Sequence, residues 1–126
     1  MAKDKIEINW KDNPKDSNYP AALSYLTLIY DQDVAAKIIE QLENAPESEF
    51  AAKDIFRASG LPLLGISNHH MVDNRQKITD EEALSPILLV RDIKQGKVVI
   101  ADGYHRLCAV FAYDEDAMVH CRIVSA

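Results

Sequence analysis

Residues 100–106 carry the pattern of an apolar strand that turns sharply into a helix: Ile100-Ala101-Asp102-Gly103-Tyr104-His105-Arg106. A glycine directly after a strand lets the backbone turn tightly and approach a ligand that a Cβ atom would obstruct. If a helix starts at Tyr104 or His105, its first amides point the same way and carry the positive end of the helix dipole. The pattern therefore predicts an anion-binding or phosphate-binding turn, which we call the elbow.

The side chains of the elbow suit the same chemistry. The Arg106 guanidinium can bind a phosphate through two hydrogen bonds, and His105 is a donor that titrates near neutral pH. Asp102 could hold a metal ion, orient His105 or act as a base. In the alternative interpretation Asp102 only caps the helix, Tyr104 packs, and Arg106 pairs with a carboxylate of residues 114–116.

Composition limits the classes of protein to which the chain can belong. With 126 residues, 48% hydrophobic and 27% charged, it fits one globular domain over residues 1–126. The net charge of −6 disfavours specific DNA binding and non-specific nucleic-acid binding. Cys108 and Cys121 lie in apolar surroundings without metal-ligand spacing and are predicted to be buried thiols. Because no stretch approaches the roughly 20 apolar residues of a membrane span, we expect a cytoplasmic protein without membrane association.

The first half of the chain is predicted to be largely helical. Residues 1–19 form an N-terminal arm, either a short edge strand or an extended segment that packs Trp10 onto the domain, and residues 20–60 form the helical part. A first helix covers 20–30, with an inward face of Leu23, Leu26, Ile29 and Tyr30. Asp31 or Asp33 caps a second helix, whose buried stripe is Val34, Ile38 and Leu42. A third helix covers Ser48 to Ser59 and ends at Gly60. Its inward side chains are Phe50, Ile55 and Phe56.

The second half, residues 61–126, is predicted to hold a loop, a hairpin and the elbow. Leu61 to Lys77 is the loop, and the capping-box pattern Thr79-Asp80-Glu81-Glu82 starts a short helix. Strands follow at 87–91 and 97–101, joined by a hairpin loop over 92–96. A buried helix follows the elbow, and a last strand covers Met118 to Val124. This order of elements indicates an α+β domain.

The stretch from Asp80 to Ala109 resembles the ParB/sulfiredoxin superfamily. In this stretch Leu84-Ser85-Pro86 precedes the predicted hairpin. The hairpin is followed by the signature box of the family, a glycine, two variable residues and an arginine, whose fixed positions are matched by Gly103 and Arg106. The whole chain is similar to a bacterial branch of that superfamily. The resemblance implies a small α+β fold with a mixed sheet, in which this box opens a helix and binds nucleotide phosphates.

Two departures from the family pattern bear on activity. Sulfiredoxins place their catalytic cysteine directly after the glycine, where this chain has Tyr104, so their reductase chemistry is not expected. ParB partition proteins continue into a helix-turn-helix region that does not follow Ala126 in this sequence, and a centromere-binding role is not expected either.

A second polar group precedes the hairpin. In family members the region of Ser67-Asn68-His69-His70 faces the box, so the resemblance implies that Asn68 or His69 contacts a ligand held by the elbow, with Arg75 as a further anion contact. The alternative is a solvated loop. The two histidines lack a third ligand, no metal site is predicted, and we assign no role to His120.

The leading hypothesis is a site for a phosphate-bearing small molecule, and a nucleotide fits the box best. Catalysis, if present, would be phosphoryl transfer or nucleotide hydrolysis with Asp102 and His105 as catalytic residues and Mg²⁺ bridging to Asp102. The rival hypothesis is a non-enzymatic interaction or regulatory module, and a ParB-like nuclease is disfavoured by the acidic surface. A homo-oligomer is left open. The residues predicted to bind the ligand are Gly103, Tyr104, His105, Arg106, Asn68 and His69.

Overall fold

Helices cover both faces of one mixed sheet. The structure is a computed structural model that describes residues 7–62 and 69–126, with the backbone alone for residues 69–72. These residues form five helices and four strands in the order α1 (Asn18–Leu26), α2 (Gln32–Asn44), β1 (Glu47–Ala51), α3 (Ala52–Ser59), α4 (His69–Thr79), β2 (Ile87–Asp92), β3 (Lys97–Asp102), α5 (Tyr104–Tyr113) and β4 (Met118–Ser125). The predicted α+β class is confirmed.

The strands lie in the order β1-β4-β2-β3. The predicted hairpin is present, with β2 and β3 antiparallel. Helix α5 then crosses over so that β4 returns parallel to β2, and β1 adds to the outer side of β4 in the antiparallel sense. The turn from β3 into α5 is the elbow.

Strand β2 separates two apolar cores. Ile87 and Leu89 belong to the core beneath α3, α4 and α5, whereas Leu88 and Val90 belong to the core beneath α1 and α2. Alternate residues of a strand point to opposite faces, so an uninterrupted apolar run is what a strand covered on both faces requires.

The helical prediction for residues 48–51 is wrong. They belong to β1, where Phe50 pairs with Val119 of β4. Glu47 and Glu49 are exposed while Ser48 and Phe50 are partly buried, which is the two-residue period of a strand. Helix α3 starts only at Ala52 and ends, as predicted, at Gly60 with φ of 69°. In the preceding helix, Ile38 and Leu42 are buried as predicted, but Val34 is exposed.

The predicted loop over Leu61 to Lys77 is also wrong from residue 69 onward, because α4 begins there. Thr79 does not start a helix. It is the last residue of α4, and its hydroxyl donates to the Arg75 carbonyl oxygen at 3.1 Å. Glu81, with φ of 61°, turns the chain away. The buried Ile78 belongs to the core shared with α5, so tertiary packing stabilises a helix whose own sequence is mostly polar.

The N-terminal arm is held along the segment that leads into β2. Trp10 is partly buried and forms a parallel bridge with Leu84. The buried Ser85 hydroxyl accepts from the Lys15 amide at 3.0 Å and donates to Asn18 Oδ1 at 2.6 Å. The arm thereby brings Lys15 beside the elbow.

Candidate functional site

The elbow has the predicted course of strand, glycine and helix. Strand β3 ends at Asp102, Gly103 stands at the helix boundary, and α5 begins at Tyr104. The first hydrogen bond of the helix runs from the Leu107 amide to the Gly103 carbonyl oxygen at 2.9 Å. The amides of residues 104–106 therefore have no carbonyl acceptor in a preceding helical turn, and they lie at the positive end of the helix dipole.

Gly103 is required by contacts inside the protein. Its φ is +108°, a conformation that residues with a Cβ rarely adopt. A Cβ atom at this position would lie 2.4 Å from Cγ2 of Ile87 and 2.8 Å from Nη2 of Arg106. The turn thus needs glycine in order to pack α5 against β2, in addition to any approach of a ligand.

Arg106 and Asp102 form an ion pair across the turn. Nη2 of Arg106 lies 2.9 Å from Oδ2 of Asp102, and the two side chains are only 16% and 19% exposed. Residue 102 is not the helix cap, because Gly103 takes that position, and the acidic partner of Arg106 comes from the elbow itself. Nε of Arg106 is buried and has no hydrogen-bond partner among the described residues.

A cavity of about 280 Å³ opens beside this ion pair. Lys15 of the arm and Lys77 of α4 line it together with Arg106, so three cationic side chains face one space. Asp73 and Asp102 supply two carboxylates to the same wall. The remaining lining residues are Asn74, Ala83, Leu84, Ser85, Gly103 and His105.

Five polar lining residues were not predicted as site residues from the sequence: Lys15, Asp73, Asn74, Lys77 and Ser85. Asn74 and Lys77 reach the cavity because α4 packs against α5, and their three-residue spacing places both on one side of a helix. That helix was not predicted because its mostly polar sequence lacks the apolar residues that recur every three or four positions in a buried helix. Arg75 lies on the same helix, but the cavity wall from α4 consists of Asp73, Asn74 and Lys77.

Tyr104 faces a second cavity, on the other side of the turn. This cavity of about 510 Å³ is mostly apolar, with Tyr25, Leu61 and Pro62 opposite Tyr104, and His105 borders both cavities. The Tyr104 hydroxyl donates a hydrogen bond to the Pro62 carbonyl oxygen. Burial, and to a smaller degree the neighbouring Cys108, raises the pKa of Tyr104 above its ordinary value.

The second predicted group cannot be placed at the site. Asn68 lies outside the described residues, and His69 is the first residue of α4 with a side chain that also lies outside them. Their predicted contact with a ligand stays a prediction.

The two cysteines are buried, as predicted, and neither forms a disulfide. Burial raises the pKa of Cys121 to about 12, and its thiol lies 3.6 Å from the Ser48 carbonyl oxygen. A thiol with so high a pKa is not a nucleophile at neutral pH.

Comparison with known proteins gives no significant match to a family model, a curated protein or a solved structure. The resemblance to the ParB/sulfiredoxin superfamily accordingly stays a prediction made from the sequence. Among the helices described, none has the length and apolar character needed to cross a membrane.

Proposed function

We propose that the protein binds a small phosphate-bearing molecule in the cavity beside the elbow. A nucleotide is the leading candidate for this molecule. The observation that carries the proposal is the convergence of Lys15, Lys77 and Arg106 with the first amides of α5 on one cavity of about 280 Å³. Cationic side chains and helix amino termini are the two groups that proteins most often use for phosphate.

The charge balance within the cavity supports an anion over a cation. Three cationic side chains face two carboxylates, which leaves an excess of one positive charge, and the ion pair of Arg106 with Asp102 is neutral within that sum. The helix dipole adds a partial positive charge at the same place. This local excess stands out in a chain with a net charge of −6.

The orphan Nε of Arg106 supports the same proposal. A buried N–H without an acceptor destabilises a protein by about 1–3 kcal/mol. An oxygen of a bound phosphate is one acceptor that could satisfy it, while Asp102 keeps the guanidinium oriented through Nη2.

If the bound nucleotide also reacts, Asp102 and His105 are the candidate catalytic residues. Both line the cavity, and Asp102 uses Oδ2 for Arg106, so its second oxygen is the one to offer to Mg²⁺. Histidine at the helix amino terminus is suited to proton transfer near neutral pH. The two buried thiols are compatible with the reducing cytoplasm, where we expect the protein to act.

The test is calorimetry and thermal shift with inorganic phosphate and a panel of nucleoside mono-, di- and triphosphates, with and without Mg²⁺. Lys77→Gln should weaken binding about tenfold or more, because a charge-assisted hydrogen bond contributes about 1.5–3 kcal/mol. Arg106→Ala should weaken binding further, since it also leaves Asp102 unpaired in the cavity.

Lys94→Gln is the matched control, because Lys94 is exposed in the hairpin loop and the substitution removes the same charge outside the cavity. The proposal fails if Arg106→Ala binds as tightly as the wild type, or if Lys77→Gln and Lys94→Gln behave alike.

A non-enzymatic interaction module is the second candidate. It is favoured because contacts within the protein already explain the two characteristic residues of the elbow. Gly103 avoids a clash with Ile87, and Arg106 pairs with Asp102. Leu28, at 82% exposure, also presents an apolar side chain in the turn that follows α1. Purification of the tagged chain with one stoichiometric protein partner, combined with no binding across the phosphate panel, would select this function.

A further inference from the structure

A second cluster of titratable side chains lies on the outer strand pair of the sheet. Glu49 of β1 stands directly opposite His120 of β4, so their side chains share one face of the sheet. Glu47 precedes Glu49 by two residues and therefore points to the same face. Ligand atoms of these three residues all lie within 4.8 Å of one another.

Both nitrogens of the His120 ring face a carboxylate. Nδ1 lies 3.2 Å from Oε2 of Glu47, and Nε2 lies 3.6 Å from Oε2 of Glu49. A neutral imidazole has one N–H and one lone pair, so it can donate to only one of these two carboxylates. When Nδ1–H donates to Glu47, the lone pair of Nε2 faces the carboxylate of Glu49, and a cation bound to both groups would stabilise this arrangement.

We propose that Nε2 of His120 and the carboxylate of Glu49 bind a divalent transition-metal ion of the zinc class. Zinc lies about 2.0–2.1 Å from a histidine nitrogen and about 2.0–2.2 Å from a carboxylate oxygen. At a near-tetrahedral angle such bonds place the two ligand atoms roughly 3.4 Å apart. The observed separation of 3.6 Å is close to this value.

Glu47 is the positioning residue of this site. Histidines that bind a metal usually donate their second N–H to a carboxylate, which selects the tautomer and makes the ligand nitrogen more basic. Glu47 accepts at Nδ1 in this way. The chain supplies two ligands, and water or a group from another molecule supplies the others, so we expect weaker binding than at a zinc site with three protein ligands.

The site is held in place by rigid neighbours. The His120 ring stacks on Trp10, with ring centroids 5.3 Å apart and planes 7° from parallel. Arg122, the cross-strand neighbour of Glu47, donates to the Asp12 carbonyl oxygen and to Asn13 Oδ1, both at 2.9 Å. That guanidinium is thus engaged with the arm. The cluster shares no residue with the cavity beside the elbow, so this proposal does not depend on the proposed function.

Trp10 provides a direct readout, because it is the single tryptophan of the chain and lies against the proposed ligand. Titration of the full chain with Co²⁺ at pH 7.5 should quench its fluorescence along a saturable curve that fits one ion per chain. Zn²⁺, which is diamagnetic, should displace Co²⁺ and restore the emission. A visible absorption band of four-coordinate Co²⁺ should appear over the same concentration range.

His120→Asn and Glu49→Gln should both abolish the saturable quenching, because each removes a proposed ligand. Glu47→Gln should weaken Co²⁺ binding by about 10–100-fold, the usual effect of losing a carboxylate that accepts from a histidine ligand. Asp33→Asn removes one negative charge from an exposed position in α2 and should leave the titration unchanged. Glu49→Gln keeps the size of an exposed side chain, and a far-UV circular dichroism spectrum identical to the wild type establishes that it folds.

The proposal is overturned if the wild type shows no saturable quenching, in which case His120 only contacts Glu47 and Glu49 and the cluster is no metal site. It is also overturned if Glu49→Gln, folded as judged by circular dichroism, binds Co²⁺ as tightly as the wild type.

Discussion

At the scale of single residues, Gly103 and Arg106 show how one pattern can have two physical causes. From the sequence, Gly103 was expected to allow the approach of a ligand, and Arg106 to bind a phosphate or to pair with a carboxylate of residues 114–116. The structure adds that Gly103 prevents a clash with Ile87 and that Arg106 is oriented by Asp102. These internal contacts make the elbow rigid, which is what a preorganised binding site needs, but they would also be expected in a turn with no ligand.

Replacement of Gly103 by alanine should lower the free energy of unfolding by about 2–5 kcal/mol. The left-handed backbone costs about 1–2 kcal/mol with a Cβ atom, and the overlap with Ile87 adds about 1–3 kcal/mol. Urea unfolding followed by circular dichroism measures the change.

Gly96→Ala is the matched control for this prediction. Gly96 has φ of +65° but nothing within 4 Å of the position of its Cβ atom, so only the backbone contribution of about 1–2 kcal/mol applies. Equal losses at the two glycines would contradict the steric explanation.

At the scale of elements, side-chain contacts tie the helical layer to the hairpin. The Tyr30 hydroxyl, in the connection between α1 and α2, donates to Oδ2 of the buried Asp92 at the end of β2 at 2.9 Å. The same carboxylate accepts from the Gln95 amide and from Gln95 Nε2, both at 3.1 Å. Burial and then the bond to Asp92 raise the pKa of Tyr30 from 10.0 to about 12.

Tyr30 should make stability fall at alkaline pH. Because the folded state holds the phenol proton more tightly than the unfolded state, its contribution is complete below pH 10 and is lost as pH rises from 10 to about 12. Tyr30→Phe should be less stable than the wild type at pH 8 by about 1–2 kcal/mol through the lost hydrogen bond, and should show a smaller further loss above pH 10.

Urea unfolding at pH 8, 10 and 11.5 measures both effects. Tyr25→Phe serves as the control, because the Tyr25 side chain is 40% exposed. An identical loss of stability above pH 10 in the wild type and in Tyr30→Phe would disprove the assignment.

At the scale of the whole molecule, the two cores share the central strand β2. Leu88 is fully buried in the core under α1 and α2, and Leu89, at 1% exposure, is buried in the core under α3 and α5. Adjacent residues of one strand thus connect the two layers, so neither layer should unfold without the other.

Leu88→Ala and Leu89→Ala should each lower the free energy of unfolding by about 2–5 kcal/mol and leave one cooperative transition. Coincident urea curves from Trp10 fluorescence, which reports from the arm, and from circular dichroism, which reports all helices, provide the measurement. Leu28→Ala, at a side chain 82% exposed, should change stability by no more than about 0.5 kcal/mol. Two separate transitions in Leu88→Ala would show that the α1–α2 layer unfolds independently.

The sequence by itself determined the features that depend on local chemistry. The apolar runs of β2 and β3, the glycine-containing loop between them and the elbow at Gly103 were all predictable, because each element is specified by residues within a few positions of one another. The amphipathic stripe of Ile38 and Leu42 in α2 was predictable for the same reason.

The tertiary structure decided the elements whose stability comes from distant partners. Residues 47–51 form a strand because β4 pairs with them, and α4 is a helix because Ile78 packs under α5. The cations Lys15 and Lys77 reach the elbow only through those long-range contacts, and the meeting of Glu49 with His120 requires the pairing of two strands about 70 positions apart in the chain. Local sequence patterns contain no information on such pairings, since the free energy that selects them is gained only when the sheet and both cores are assembled.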